Sequence, residues 1–478
     1  MNTNLLAIFP ELLLLLLGIT ILIVDPFWKE SDRRVNLGWM SAIGLFAIII
    51  LSLLFAKPGE PQSVLGGMVR YDSLGFVFKM MFIFTAGITS LFFMDTEKLA
   101  TRAEAYLMLI AATIGMNFMA SATDLVMIYL AIETTSIPMY VLSGFLLGDK
   151  KSTEAGFKYL LFGAFTSAIF LYGLSLVYGF SGTTQIMDMR GHFGSFNPVS
   201  GGLIFLLIVG LGFKISMVPF HFWAPDTYEG APSPVAGFLS TASKAAGFAV
   251  LMRIFIMAFP QIAADWQMLL AILATLSMTL GNLVALAQTN MKRLLAYSSI
   301  AHAGYAMIGL VTNSKLGIEA VIYYLIAYIL TNMAAFGIIT VFHKTTGSDE
   351  IRAYDGMSRR SPYLGLAMMV AFLSLAGMPP FGGFIGKVLV FTAAIEKGWY
   401  WLVFVGIFNS IIGVYYYLTT LKYVYLYRME GENEEAHPIA ISRPVAIGLM
   451  VVTLGIVVVG VFFAPWFSMA TQAASSLF

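Results

Sequence analysis

The chain has 478 residues, 59% of them hydrophobic and only 11% charged, with a net charge of +1. Soluble domains carry about 25% charged residues, so most of this surface faces something other than water, and without a basic patch nucleic acid is no expected partner. With no cysteine in the chain, thiolate-held iron–sulfur clusters, CxxC zinc sites and structural disulfides are excluded, while the redox compartment stays undetermined.

The opening stretch, MNTNLLAIFPELLLLLLGITILIVDPFWKE, is as apolar as a signal peptide. It lacks a basic leading segment and a small-residue cleavage site, which predicts a retained first spanning helix. Thirteen further apolar segments follow, so that the set runs at about 4–24, 36–56, 72–94, 103–120, 124–146, 154–180, 201–222, 231–258, 265–288, 293–312, 317–343, 362–395, 399–425 and 444–470. Segments of about 20 residues fit the bilayer core. Long unalternating runs of Ala, Leu, Met and Gly predict helices rather than strands, because only helices or closed barrels span lipid. The fold class is therefore an all-α integral membrane protein with 14 transmembrane helices. The longest polar connections, at about 181–200, 344–361 and 426–443, leave no room for an inserted soluble domain.

Connections after odd-numbered segments hold 16 Lys and Arg, against 6 after even-numbered ones, Arg190 and Arg253 among the latter. That bias predicts both termini outside and the 344–361 connection in the cytoplasm. Five basic residues are left inside apolar segments: Lys79, Lys158, Lys214, Lys244 and Lys387. All are lysines, whose ammonium can give up its proton when desolvated, as a guanidinium does not. Such a set reads as proton-binding sites, with Lys79 expected to snorkel to its helix end.

Glu133, in DLVMIYLAIETTSIPMYVLSGF, lies near the middle of the fifth segment, and an intramembrane carboxylate is a functional hypothesis unless it serves a structural pair. Lys214 precedes Pro219 on the seventh segment, where proline removes a backbone donor and breaks the helix. AGMPPFGGFIGK repeats the device on the twelfth, with Pro379 and Pro380 beside Lys387. Two interrupted helices five segments apart, each with a lysine, suggest two related halves as in inverted-repeat transporters. Lys244 stands among small residues in LSTASKAAGF, which allow close packing or water entry. Lys158 follows Glu154 by four residues, the same-face spacing, near the cytoplasmic end; pairing, snorkelling and a pathway role all fit it. Glu11 is placed near the outer end of its helix with no special role. His221 and His302 are relay candidates; as haem ligands they lack matched positions on facing spans. GGFIGK and GLGFKI each miss a glycine of the nucleotide-binding fingerprints, and HExxH is absent, so no covalent chemistry is expected on the chain.

KISMVPFHFWAPDTYEGAPSPVAGFLSTASK and MKRLLAYSSIAHAGYAMIGL resemble the antiporter-like membrane subunits of respiratory complex I (NADH:quinone oxidoreductase) and of multi-subunit cation/proton antiporters. The likeness covers about residues 100–450. Lys387, where some members carry glutamate, and the short tail after the last segment separate the chain from the distal complex I subunit. The resemblance implies inverted five-helix repeats, helices four to eight and nine to thirteen. The chain then divides into residues 1–100, 101–260, 261–430 and 431–478. It also implies a Glu133–Lys214 pair, a central Lys244, an exit-side Lys387, and Lys158 and His302 as further members of a polar axis. Cofactors are implied only on partner subunits: NADH, FMN, iron–sulfur clusters and quinone. Partners are other membrane subunits, the bilayer of a bacterial-type plasma membrane, protons and water. A stand-alone cation/proton antiporter subunit and a passive scaffold are the competing readings, and sodium in place of protons stays open. A Glu–Lys pair 4 Å apart is worth about 4 kcal/mol at an effective dielectric of 20. Moving one charge across the membrane costs about 2.3 kcal/mol per 100 mV, so switch and load are comparable.

Overall fold

The computed structural model describes residues 4–193, 197–427 and 438–478. Seventeen helices carry the architecture: α1 (Phe9–Val24), α2 (Glu30–Phe55), α3 (Ser73–Phe93), α4 (Ala103–Ser121), α5 (Leu125–Ser143), α6 (Lys150–Ser181), α7 (Pro198–Ile215), α8 (Trp223–Gly230), α9 (Ser233–Ala258), α10 (Ala263–Ala285), α11 (Met291–Val311), α12 (Lys315–Thr346), α13 (Pro362–Ala376), α14 (Gly382–Glu396), α15 (Tyr400–Tyr425), α16 (Arg443–Val461) and α17 (Phe463–Ala474). Their starts follow the sequence. Asp72, Asp124, Asp149 and Asn290 each accept backbone N–H groups of the first turn they precede, which satisfies donors that no earlier carbonyl can reach.

Among the described residues, thirteen helical stretches are long and apolar enough to cross a bilayer. The expected span at 362–395 is the exception, since α13 and α14 have 15 residues each. At 1.5 Å per residue, neither alone reaches across a hydrocarbon core of about 30 Å. The seventh expected segment, 201–222, is cut short instead: α7 ends at Ile215, and the short α8 begins beyond the segment at Trp223. Both breaks anticipated from proline are present. One pair of short strands, β1 (Gln62–Val64) and β2 (Val69–Tyr71), lies outside the apolar segments, where no strand was expected.

Helices α9 and α12 are buried along their whole apolar windows and α11 nearly so, which places them at the centre. Around them, α1, α2 and α15 turn large side chains outward, among them Leu15, Leu22, Ile43, Phe404 and Ile411. This is the inverse of a soluble protein and suits a lipid solvent. The two ends of the described chain lie on one face of the bundle, at the strand pair: Asn4 donates to Gln62 of β1, and Arg70 Nη2 of β2 donates to the Ser476 carbonyl. The loop around 347–356 lies on the opposite face, where Asn290 bridges Glu350.

Candidate functional site

At the first break, α7 ends at Ile215 and Ser216 turns left-handed. The Phe213 carbonyl accepts from the Ser216 N–H at 3.0 Å and from Trp223 Nε1 at 3.1 Å. Lys214, in the last turn of α7, is 3% exposed and sits where the helix dipole favours a cation. Its Nζ donates to Ser136 Oγ of α5 at 2.9 Å. Glu133, one turn away on α5, accepts from the Ser167 hydroxyl instead. The expected direct Glu133–Lys214 ion pair is thus not formed among the described residues; each charge is held by a serine. Both line one void of about 20 Å³, room for about one water.

Lys244 occupies mid-membrane on α9, directly after a π turn over Leu239–Ser243. Its Nζ donates to the carbonyl and hydroxyl of Ser299 at 2.9 and 2.8 Å. One turn on, Gly247 lets α9 meet the seventh helix: a Cβ there would stand 2.6 Å from Ile215 Cγ2 and 3.4 Å from Lys214 Cγ. Ser299, His302 and Tyr305 follow at three-residue spacing on α11, one face of a helix. His302 is fully enclosed by tyrosines, with Nδ1 2.5 Å from Tyr324 Oη and Nε2 3.2 Å from Tyr417 Oη. The Tyr417 hydroxyl also meets Ser298. Tyr305 then offers its ring face to Lys387, whose Nζ stands 4.8 Å above the centroid.

At the second break, Lys387 on α14 reaches back to the end of α13. Its Nζ donates to the Leu375 and Ala376 carbonyls at 3.2 and 3.1 Å and to Ser410 Oγ at 2.9 Å. A cation therefore closes the C-terminal end of α13, as helix-end carbonyls favour.

The remaining candidates lie elsewhere. Lys158 joins an ionic cluster near the opposite face, 2.6 Å from both Glu154 and Asp226, with Arg293 also on Asp226 at 2.7 Å. The same-face pairing with Glu154 is present, and Asp226 adds a partner from the far side of the first break. His221 is buried within that break beside Phe222, and its Nδ1 meets no protein partner. On the same face Lys292 stands 3.1 Å from the loop carboxylate of Asp349, 2.9 Å from His343. Burial pushes that carboxyl up, yet His343 and Lys292 together hold it below the usual range.

Two expectations are corrected. Lys79 does not snorkel: it is 4% exposed, with Nζ 2.8 Å from both Glu11 Oε1 and the Ala7 carbonyl. Glu11 consequently has a role, as the buried partner of Lys79. Arg253, counted among the outer connections, is fully buried on α9 against Asp72. In both cases the partner comes from a part of the chain distant in sequence, which supplies the countercharge that lipid could not.

Residues 122–413 match the family described as NADH:quinone oxidoreductase/Mrp antiporter, transmembrane. NADH-quinone oxidoreductase subunit N of Heliobacterium modesticaldum is 41% identical over 481 residues, spanning 100% of both chains. A chain of respiratory complex I from Thermus thermophilus, solved with bound aureothin, superposes on 96% of this chain and 98% of its own, with TM-score 0.81 and 32% identity. A chain of the Mrp complex from Dietzia sp. DQ12-45-1b covers 99% of this chain and 97% of its own at TM-score 0.86. Its identity is 18%, a likeness of fold alone.

Proposed function

The chain belongs to the NADH:quinone oxidoreductase/Mrp antiporter family of membrane proteins, and from that premise we propose that it is the proton-translocating subunit N of an NADH-quinone oxidoreductase. One observation carries the reading: three lysines, Lys214, Lys244 and Lys387, stand buried at mid-membrane with hydroxyls and one imidazole spaced between the second and third. Full-length identity of 41% to a subunit N, against 18% to an Mrp chain, favours this over the cation/proton antiporter reading.

In this reading a proton moves between ammonium stations, and the chain's own groups lower the cost of each. The carbonyl end of α13 holds the cation at Lys387, and Ser136 together with the dipole of α7 holds the one at Lys214, where unpaired burial would be prohibitive. Ser299, His302 and the tyrosine hydroxyls around it offer donors and acceptors that reverse by rotation or tautomer change. Glu133, sharing a void with Lys214, sets how strongly the first lysine keeps its proton. His221 and Lys158 line the route toward the opposite face. Redox chemistry with NADH, FMN, iron–sulfur clusters and quinone belongs to partner subunits, and neighbouring membrane subunits flank the bundle.

The two halves form the inverted repeats of this fold: α4 to α9 (residues 101–260) and α10 to α15 (residues 261–430). Residues 1–100 stand before them and 431–478 after. Counting the α7/α8 and α13/α14 pairs as one crossing each, and leaving out α17, whose 12 residues are too few to span, gives fourteen, with the face that bears the termini outside a bacterial-type plasma membrane. Cysteines placed at Ser63 and Ser348 should then label from opposite sides of the membrane; labelling from one side would remove this topology.

The direct test is Lys244→Ala in the whole complex, reconstituted in vesicles and driven by NADH and quinone. Proton uptake should fall strongly while assembled complex remains present. Undiminished uptake would overturn the role of Lys244.

A further inference from the structure

Arg253 lies at the end of α9 nearest the chain termini, nine residues beyond Lys244, and is 0% exposed. Its Nη1 and Nη2 donate to the two carboxylate oxygens of Asp72 at 2.9 and 2.7 Å, and its Nε to the Ala120 carbonyl at 2.6 Å. Arg70 Nε approaches the same carboxylate at 3.2 Å. Two guanidiniums thus share one carboxylate, which leaves the cluster net positive.

Polar ground lies on both sides of it. Toward the termini, Arg70, Asp72, Gly75 and Lys79 line a void of about 10 Å³, close to the volume that admits one water. Toward mid-membrane, Asn117 stands one turn inward of Ala120 and Ser121 on α4, fully buried. Neither Nδ2 nor Oδ1 of its side chain finds a protein partner, and a buried amide of this kind calls for water. A polar void and an unpartnered amide therefore lie on the two sides of Arg253, on the helix that also carries Lys244.

We propose that Arg253 is an electrostatic plug, a fixed cation that closes the terminal-face end of α9 to protons. A proton on Lys244 is then left with the lateral route to Lys387. A guanidinium keeps its proton at any accessible pH, so it cannot relay one. A fixed positive charge in a narrow polar passage also repels an incoming proton, as arginine does in selective pores. A purely mechanical clamp would not need the charge, because apolar residues of similar volume commonly replace a buried ion pair without loss. The other half of the bundle offers the contrasting end: beyond α14, Gln267, Asn313 and Lys397 line an open recess of about 580 Å³ on the same face. The proposal rests on reading Lys244 as a proton station.

The test is passive proton flux into vesicles holding the whole complex, without NADH, after an imposed pH step. In Asp72→Asn/Arg253→Met both charges go, while Asn still caps α3 through the Gly75 N–H now held by Asp72. This variant should leak severalfold faster than the parent. Asp72→Asn alone keeps the guanidinium and should stay as tight as the parent. Adding Lys244→Ala to the double variant should restore tightness. A double variant as tight as the parent overturns the plug, as does an Asp72→Asn single that leaks equally fast, since packing would then be the cause. Should the methionine variant fail to assemble, Asp72→Asn/Arg253→Gln removes the same charges with a hydrogen bond kept and is read the same way. Failure of the station reading is distinct: Lys244→Ala would then pump fully, and the leak of the double variant would survive it.

Discussion

Both α7 and α13 stop in mid-membrane at a left-handed residue, Ser216 in one and Gly377 in the other, yet the cation stands before the first break and after the second. Lys214 therefore reaches a serine on α5 rather than the carbonyls at the end of α7, while Trp223 shares the Phe213 carbonyl with the Ser216 N–H. Lys387 points back across its break and holds the last carbonyls of α13 itself. The difference teaches that one lysine stands beside an acid, clear of the helix-end carbonyls, and the other is a structural cap. On the proposed function, losing the first costs a station, and losing the second costs a station and a helix end.

That contrast is open to breaking. Lys387→Met should abolish proton uptake and also lower the thermal stability of the complex, by about 1–3 kcal/mol for each carbonyl left without a donor. Lys214→Met should abolish uptake to a similar degree but change stability by less than about 1 kcal/mol, because Ser136 keeps its bond to the Ile132 carbonyl. Equal losses of stability in the two variants would erase the distinction. Glu133→Gln should weaken pumping less than either. Combined with Lys214→Met, it should add clearly less than its separate effect if the shared void couples the two; fully additive losses would separate them. The smallest effect belongs to Trp223→Phe, which removes one hydrogen bond at the first break and should cost about 0.5–1.5 kcal/mol with pumping retained. A larger stability loss there than at Lys387 would reverse the comparison.

The breaks and the lysines beside them were legible because proline and a lone charge in an apolar run each have few physical explanations. Legibility failed wherever the explanation lay on a distant helix. Lys79 reads as a snorkelling residue until Glu11, 68 residues earlier, is seen beside it. Arg253 reads as a loop cation because it stands near the end of an apolar run, and nothing in MRIFIMAFP announces Asp72. The hydroxyls at Ser136, Ser167 and Ser410 were invisible for the same reason, serine being common in close-packed membrane helices. Around His302 a signal did exist. The spacing of Ser299, His302 and Tyr305 marks one polar stripe on α11, although Tyr324 and Tyr417 could be added only by the fold. The Glu133–Lys214 pair shows the opposite error, since two residues rightly placed in one neighbourhood were given a direct contact that two serines hold instead.

The partners of Lys387 have an arithmetic of their own. An ammonium has three N–H donors, and Leu375 O, Ala376 O and Ser410 Oγ take all three. A neutral amine has two donors and a lone pair. The carbonyls cannot adapt to that change, for they only accept. Ser410 can, because a hydroxyl that accepts from the ammonium can rotate and donate to the amine. The count of satisfied groups is then the same before and after the proton leaves, and the end of α13 stays closed throughout. Deprotonation at this position needs no unwinding and no new partner, only one turn of a hydroxyl.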